Sequence, residues 1–167
     1  CDDVAVMLNG IKGETCELNI MASGTAMRFL TAYWSIQPNS THILTGTERM
    51  KQRPIKVLVD SLRTLGADIE YMEREGYPPL KINGKALEGG TVTMPADVSS
   101  QYVSALLMVA PFFTKGLTLT LKGTIASRSY IDLTIDIMTS CGAKVHWTDV
   151  DTLKVEPKRY EATQRMI

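Results

Sequence analysis

One pattern in this chain occurs twice. Residues 55–66, from Ile55 to Gly66, are matched 76 positions later by residues 131–142, from Ile131 to Gly142. The same shift carries Asp60 onto Asp136, Ala67 onto Ala143, Ile69 onto Val145 and Tyr71 onto Trp147. Upstream the shift is 77, taking Ser23 to Ser100, Leu30 to Leu107 and Gly46 to Gly123. The period is longer than that of the common solenoid repeats. Two copies of one supersecondary unit, built into a globule, are therefore expected.

The pattern inside the copies gives the unit. Residues 16–21 alternate in polarity as a strand, and 24–37 form a helix with a wide apolar face of Ala26, Met27, Phe29, Leu30, Tyr33 and Trp34. A strand at 41–45 and a loop at 47–53 follow, the loop carrying Arg49, Lys51 and Arg53. Pro54 opens a helix with Ile55, Leu58, Val59, Leu62 and Leu65 at helical spacing. Strands at 68–72 and 80–83 close the copy. The second copy runs as a strand at 90–94, an almost wholly apolar helix at 102–112 and a strand at 116–121. A loop at 124–129, a helix at 130–140 with Ile131, Ile135 and Met138 inward, and strands at 143–148 and 152–155 complete it. Residues 2–12 read as a further helix stopped by Gly13.

The expected class is α/β (α+β). Residues 1–14 are the end of a preceding unit, 15–84 and 85–157 are βαβαββ units, and 158–167 are a polar tail without fixed structure, leading towards a missing remainder. The helices are more apolar than the strands, so helices should fill the middle and sheets face outward. The chain reads as a fragment of a longer protein.

Composition narrows function by exclusion. The 18 basic and 18 acidic residues cancel, so no nucleic-acid partner is expected. No apolar run is long enough to span a membrane, and no leader is expected. Cys1, Cys16 and Cys141 are odd in number and show no metal spacing, which favours a reducing, cytoplasmic setting and no metal. His42 and His146 read as exposed strand residues.

Four turns precede helices: Ser23-Gly24-Thr25, the segment 49–53, Ser99-Ser100-Gln101 and Ser127-Arg128-Ser129. All are small, hydroxyl-bearing or cationic, with acids only at Glu48 and Asp97. A helix N-terminus offers unpaired N–H groups and partial positive charge. Repetition should aim these ends alike, making a face for a multiply charged anion. Each turn alone is also what a capped helix with solvated arginines looks like. Gly24 lets a ligand approach the backbone, with Thr25 and Arg28 beside it. Arg53, before Pro54, is extended and able to reach over a helix end, unless it pairs with Glu48. Gln101 and Tyr130 add polar atoms at helix starts. No nucleophile–base pair stands out.

Taken together, Ser23-Gly24-Thr25-Ala26-Met27-Arg28, Leu44-Thr45-Gly46, Arg49-Met50-Lys51-x-Arg53-Pro54-Ile55, Tyr77-Pro78-Pro79-Leu80, Val98-Ser99-Ser100-Gln101-Tyr102 and Ser127-x-x-Tyr130-Ile131-Asp132 resemble the EPSP synthase family in order and spacing. The resemblance runs to about Val155. It implies a fold of two domains, each of three βαβαββ units about a pseudo-threefold axis. This chain looks like two units of the first domain and the end of another.

The implied activity moves the carboxyvinyl group of phosphoenolpyruvate to the 5-hydroxyl of shikimate 3-phosphate, through a tetrahedral adduct and without a cofactor. By resemblance, Gly24, Arg53 and Gln101 would contact phosphoenolpyruvate. Ser99, Ser100, Gln101, Ser127 and Tyr130 would hold shikimate 3-phosphate, and glyphosate would sit beside Gly24. The family often has Asn-Ala before this glycine and Pro after this arginine, where this chain has Ala22-Ser23 and Phe29. The family's Lys-Ser segment and its second domain, with the proton-transferring groups, are not in this stretch. No catalytic residue is therefore expected here, and the 167 residues alone should be inactive. Other readings are the related UDP-N-acetylglucosamine enolpyruvyl transferase, which uses a Cys-bearing loop, and a non-catalytic anion-binding module.

Overall fold

In the computed structural model, residues 2–125 and 127–161 are described. Cys1, Ala126 and 162–167, which include most of the predicted tail, lie outside the described residues. The chain divides into two compact units, Cys1–Ala86 and Leu87–Ile167.

The first unit holds α1 (Asp2–Lys12), β1 (Glu17–Asn19), α2 (Gly24–Ser35), β2 (Thr41–Thr45), α3 (Glu48–Lys51), α4 (Lys56–Thr64), β3 (Asp68–Tyr71) and β4 (Leu80–Asn83). Its sheet has the order β1-β2-β4-β3, with β1 parallel to β2 and the other pairs antiparallel. The second unit holds β5 (Gly90–Pro95), α5 (Ser100–Val109), a 3₁₀ turn at Ala110–Phe112, β6 (Leu117–Lys122), α6 (Arg128–Ser140), β7 (Val145–Trp147) and β8 (Thr152–Val155). Its sheet has the matching order β5-β6-β8-β7.

Alternation divides each sheet into two faces. Leu18, Leu44, Leu80, Ile82 and Ile69 lie on one face of the first sheet and are buried. Glu17, Asp68 and Glu70 lie on the other and are exposed. In the second sheet Val92, Met94, Leu119, Leu121, Leu153 and Val155 are buried, while Thr91, Thr93, His146 and Lys154 are exposed. Each sheet is therefore apolar on the side its helices cover and polar on the other. Burying seven of its 10 residues, against seven of 12 in α2, α5 is the most enclosed helix among those described.

Four expectations need correction. The loop at 47–53 contains α3, because the Thr47 hydroxyl caps it by accepting the Met50 N–H at 3.3 Å. His42 is buried rather than exposed. It shares the inward face with Leu44, lies 3.9 Å from Trp34 ring to ring, and donates from Nδ1 to the Thr15 carbonyl at 3.1 Å. Ile135 is only half-buried, so Ile131 and Met138 alone anchor α6 inward. The first residues of the tail are pinned: Glu161 N–H donates to the Cys141 carbonyl at 2.9 Å, and the Tyr160 hydroxyl donates to the Met108 carbonyl at 2.8 Å.

Two side-chain hydrogen bonds flank the outer edge of β1. The Thr15 hydroxyl donates to the Glu17 carbonyl at 2.6 Å, and the Asn19 amide oxygen accepts the Met21 N–H at 2.9 Å.

Candidate functional site

The parallel strand pair positions the site in each unit. Asn19 of β1 is level with Thr45 of β2, and α2 and α3 start just beyond those ends. Pro95 of β5 is level with Lys122 of β6, and α5 and α6 start just beyond them. Within each unit, two helix starts thus leave one edge of the sheet, the side where open α/β sheets bind ligands.

In the first unit the turn into α2 is built around Ser23 and Gly24. Ser23 is buried, and its Oγ accepts the Ala26 N–H at 3.1 Å. Gly24 donates no side chain, and its carbonyl accepts from Arg28 Nη1 at 2.9 Å. A Cβ at Gly24 would lie 2.6 Å from Arg53 Nη1 and 2.8 Å from Arg28 Nη1. Two guanidinium groups therefore stand against the one backbone position with no side chain. Thr25 follows in the first turn, half-buried, and that turn carries no acid.

Arg53 arrives there by way of α3 and Pro54. Its N–H donates to the Met50 carbonyl at 3.0 Å, closing α3, and the proline prevents helix from continuing. Arg53 and Arg49 form no ion pair among the described residues, and Glu48 pairs with Lys51 at 3.4 Å instead. Lys51 also meets Glu73 at 3.1 Å, which holds its ammonium pKa above the ordinary value. Of the three cations in this segment, Lys51 is neutralised and two arginines are available. Ala22, Arg49, Met50 and Arg53 line a cavity of about 330 Å³.

In the second unit Ser99 caps α5, its Oγ accepting the Gln101 N–H at 3.4 Å. Ser100 and Gln101 form the first turn, and both are half-buried. Ser127 stands before α6 in the left-handed region, φ 57° and ψ 43°, and makes no cap bond. Its hydroxyl is consequently not spent on the helix. Tyr130 is 63% exposed. The two helices lie side by side, Ser104 Oγ 2.7 Å from Thr134 Oγ1. Gly24, Arg28 and Arg53 come together in the first unit. Ser99, Ser100, Gln101, Ser127 and Tyr130 stand at the two helix starts of the second. Sequence reasoning missed the partners of Arg128, whose guanidinium is folded onto Trp147; the only hint was that Trp147 repeats Tyr71.

A sequence profile for the family described as EPSP synthase (3-phosphoshikimate 1-carboxyvinyltransferase) matches residues 4–167. The chain belongs to the EPSP synthase family. Among its relatives, a 3-phosphoshikimate 1-carboxyvinyltransferase of Bacteroides fragilis is 51% identical over 160 residues, covering 96% of this chain and 39% of the relative. One from Aliivibrio fischeri is 45% identical over 142 residues, covering 85% and 33%. Among solved structures, an EPSP synthase from Acinetobacter baumannii superposes with a TM-score of 0.71 at 25% identity, over 85% of this chain and 30% of that one. The chain thus spans 39% or less of these EPSP synthases. Among the described residues no helix is long and apolar enough to cross a membrane, and no three His, Cys, Asp or Glu side chains group to hold a metal.

Proposed function

We propose that this chain is the part of a 3-phosphoshikimate 1-carboxyvinyltransferase that receives its two anionic substrates. Phosphoenolpyruvate is held by Gly24, Arg53 and Gln101, with Thr25 and Arg28 in support. Shikimate 3-phosphate is held by Ser99, Ser100, Gln101, Ser127 and Tyr130, the serines at its phosphate. The observation that carries the reading is Gly24 with two guanidiniums against it, beside a cavity lined by Arg49 and Arg53. Guanidinium suits carboxylate and phosphate because its planar donors match two oxygens at once. The α2 N-terminus adds partial positive charge in the same place.

The same proposal takes residues 15–84 and 85–157 as two of the domain's βαβαββ units and 1–14 as the end of another. The second domain supplies the proton-transferring groups, and glyphosate occupies the phosphoenolpyruvate position. Cys16 and Cys141 are free, which fits a cytoplasmic setting. Holding two anions in reacting order lowers the entropic part of the barrier. This chain's share is that binding and orientation.

An NMR titration of the chain with phosphoenolpyruvate and with shikimate 3-phosphate tests the assignment. Phosphoenolpyruvate should shift the amides around Gly24 and Arg53, and Arg53→Ala should weaken it about tenfold, or about 1.4 kcal/mol. Arg53 is exposed, so its loss should leave thermal stability within about 0.5 kcal/mol of the parent. Shifts with a UDP-sugar alone would reverse the substrate reading, and indifference to all three would leave an anion-independent module. Phosphate release by the chain alone would overturn its expected inactivity.

A further inference from the structure

The first turn of α6 is held from outside the helix. Arg128, its first residue, lays its guanidinium carbon 3.9 Å over the Trp147 ring. Its Nη1 donates to the Val150 carbonyl at 3.0 Å, in the turn between β7 and β8. Its Nε lies 3.9 Å from Asp132 Oδ2, and the Trp147 indole N–H donates to Asp132 Oδ1 at 2.9 Å. Arg128, Asp132 and Trp147 therefore close a ring joining the helix start to the β7–β8 hairpin.

Two observations say that this ring does more than decorate a surface. First, a cation at a helix N-terminus opposes the macrodipole, so Arg128 stands where its charge is unfavourable unless something offsets it. Second, the usual support is missing. Ser127 makes no cap bond and sits in the left-handed region, where a residue with a Cβ is strained. The first unit ties its hairpin to a helix start with different residues. Lys56, the first residue of α4, reaches Glu75 at 3.2 Å, and the Ile55 N–H donates to the Gly76 carbonyl at 2.9 Å.

We propose that Arg128, with Asp132 and Trp147, is a positioning group. It pins the start of α6 to the hairpin and so keeps Ser127 in its left-handed turn and Tyr130 on the first helical turn, both facing the phosphorylated ligand. The ligand in this statement rests on the function proposed above, whereas the pin itself does not. Arg128 touches no substrate in this scheme. Its effect passes through the backbone of 127–130.

The test uses the full 167-residue chain and the variants Arg128→Met, Arg128→Lys and Trp147→Phe. Amide exchange at 130–132 is read without ligand, and affinities for shikimate 3-phosphate and phosphoenolpyruvate are read by titration. Arg128→Met should speed exchange at those amides about tenfold, by loosening one local turn. It should weaken shikimate 3-phosphate about tenfold through misplacement of Ser127 and Tyr130, and leave phosphoenolpyruvate unchanged. Arg128→Lys, which can still reach the Val150 carbonyl, should recover most of both losses. Trp147→Phe keeps the ring face but not the indole N–H, and should fall between.

Slower exchange in Arg128→Met would mean that relief of the dipole is all that matters, and would overturn the proposal. Faster exchange with unchanged shikimate 3-phosphate affinity would overturn it too, since the pin would then position nothing. Equal weakening of both ligands would point to general loosening and count against it. If the parent chain does not respond to shikimate 3-phosphate at all, the substrate reading falls, and the exchange measurements alone decide whether the pin exists.

Discussion

The two units diverge at one turn. Under the 76-residue shift Pro54 falls on Tyr130, and Gln52 falls on Arg128. In the second unit the helix runs unbroken from Arg128 for 13 residues, whereas α4 has 9 and begins at Lys56. Proline removes an N–H and disfavours helix in the residue before it. The turn that is helical at 128–131 is therefore a linker at 52–55, with α3 on its far side. One copy presents a guanidinium on that linker, and the other presents a phenol on a helix. A single imino acid separates two uses of the same repeat.

This comparison can be broken at several levels. The largest expected effect is in the cores. Leu44 and Leu121 are equivalent under the 77-residue shift, and are 0% and 1% exposed. Leu→Ala at either should cost about 3 kcal/mol in urea denaturation, from lost burial and the cavity left behind. Clearly unequal costs would show that the two cores are not equivalent.

Next is the proline itself. Pro54→Ala should let α4 grow backwards, draw Arg53 into the helix and lower phosphoenolpyruvate affinity about tenfold, or about 1.4 kcal/mol. Unchanged affinity in an NMR titration would show that the linker is not what delivers Arg53 to Gly24.

Smaller effects sharpen the contrast between two tyrosines. The Tyr160 hydroxyl donates to the Met108 carbonyl, while among the described residues the Tyr71 hydroxyl is buried without a partner. Tyr160→Phe should therefore cost about 1 kcal/mol, and Tyr71→Phe nothing or slightly less than nothing. Burial is the main cause that pushes both phenols up to about 12; the Asp60 charge adds to it at Tyr71 and Cys141 at Tyr160. An unfolded tyrosine ionises near about 10, so their contribution is complete below about pH 10 and is lost as pH rises towards 12. Absorbance at about 295 nm should show two phenols ionising late in the folded chain and normally in urea. Loss of stability already below pH 9 would contradict this assignment.

Much of the fold was readable because the repeat and the glycines agree. Gly13 was expected as a helix stop, and it has a positive φ, as do Gly66 and Gly142 at the ends of the repeated segment. Arg53 was readable as a candidate for a local reason, the proline after it, but its place against Gly24 was not. What escaped notice depended on distance. His42 could be placed in β2, but not on the inward face, until its register with Ile82 was known. The Arg128–Trp147 stack needs the β7–β8 hairpin to bring residue 147 back to the helix start, and no local pattern encodes that. α3 was hidden by its own charge: three cations near a proline read as loop, and only the Thr47 cap reveals the turn.

The short edge of β1 bears on how copies of this chain meet one another. A three-residue border strand whose Glu17 carbonyl is already answered by Thr15, followed by a Met21 amide taken by Asn19, offers a visiting strand only a short and partly answered edge. Growth of the sheet from molecule to molecule is thereby discouraged at that border, and concentrated solutions should resist fibril formation begun there.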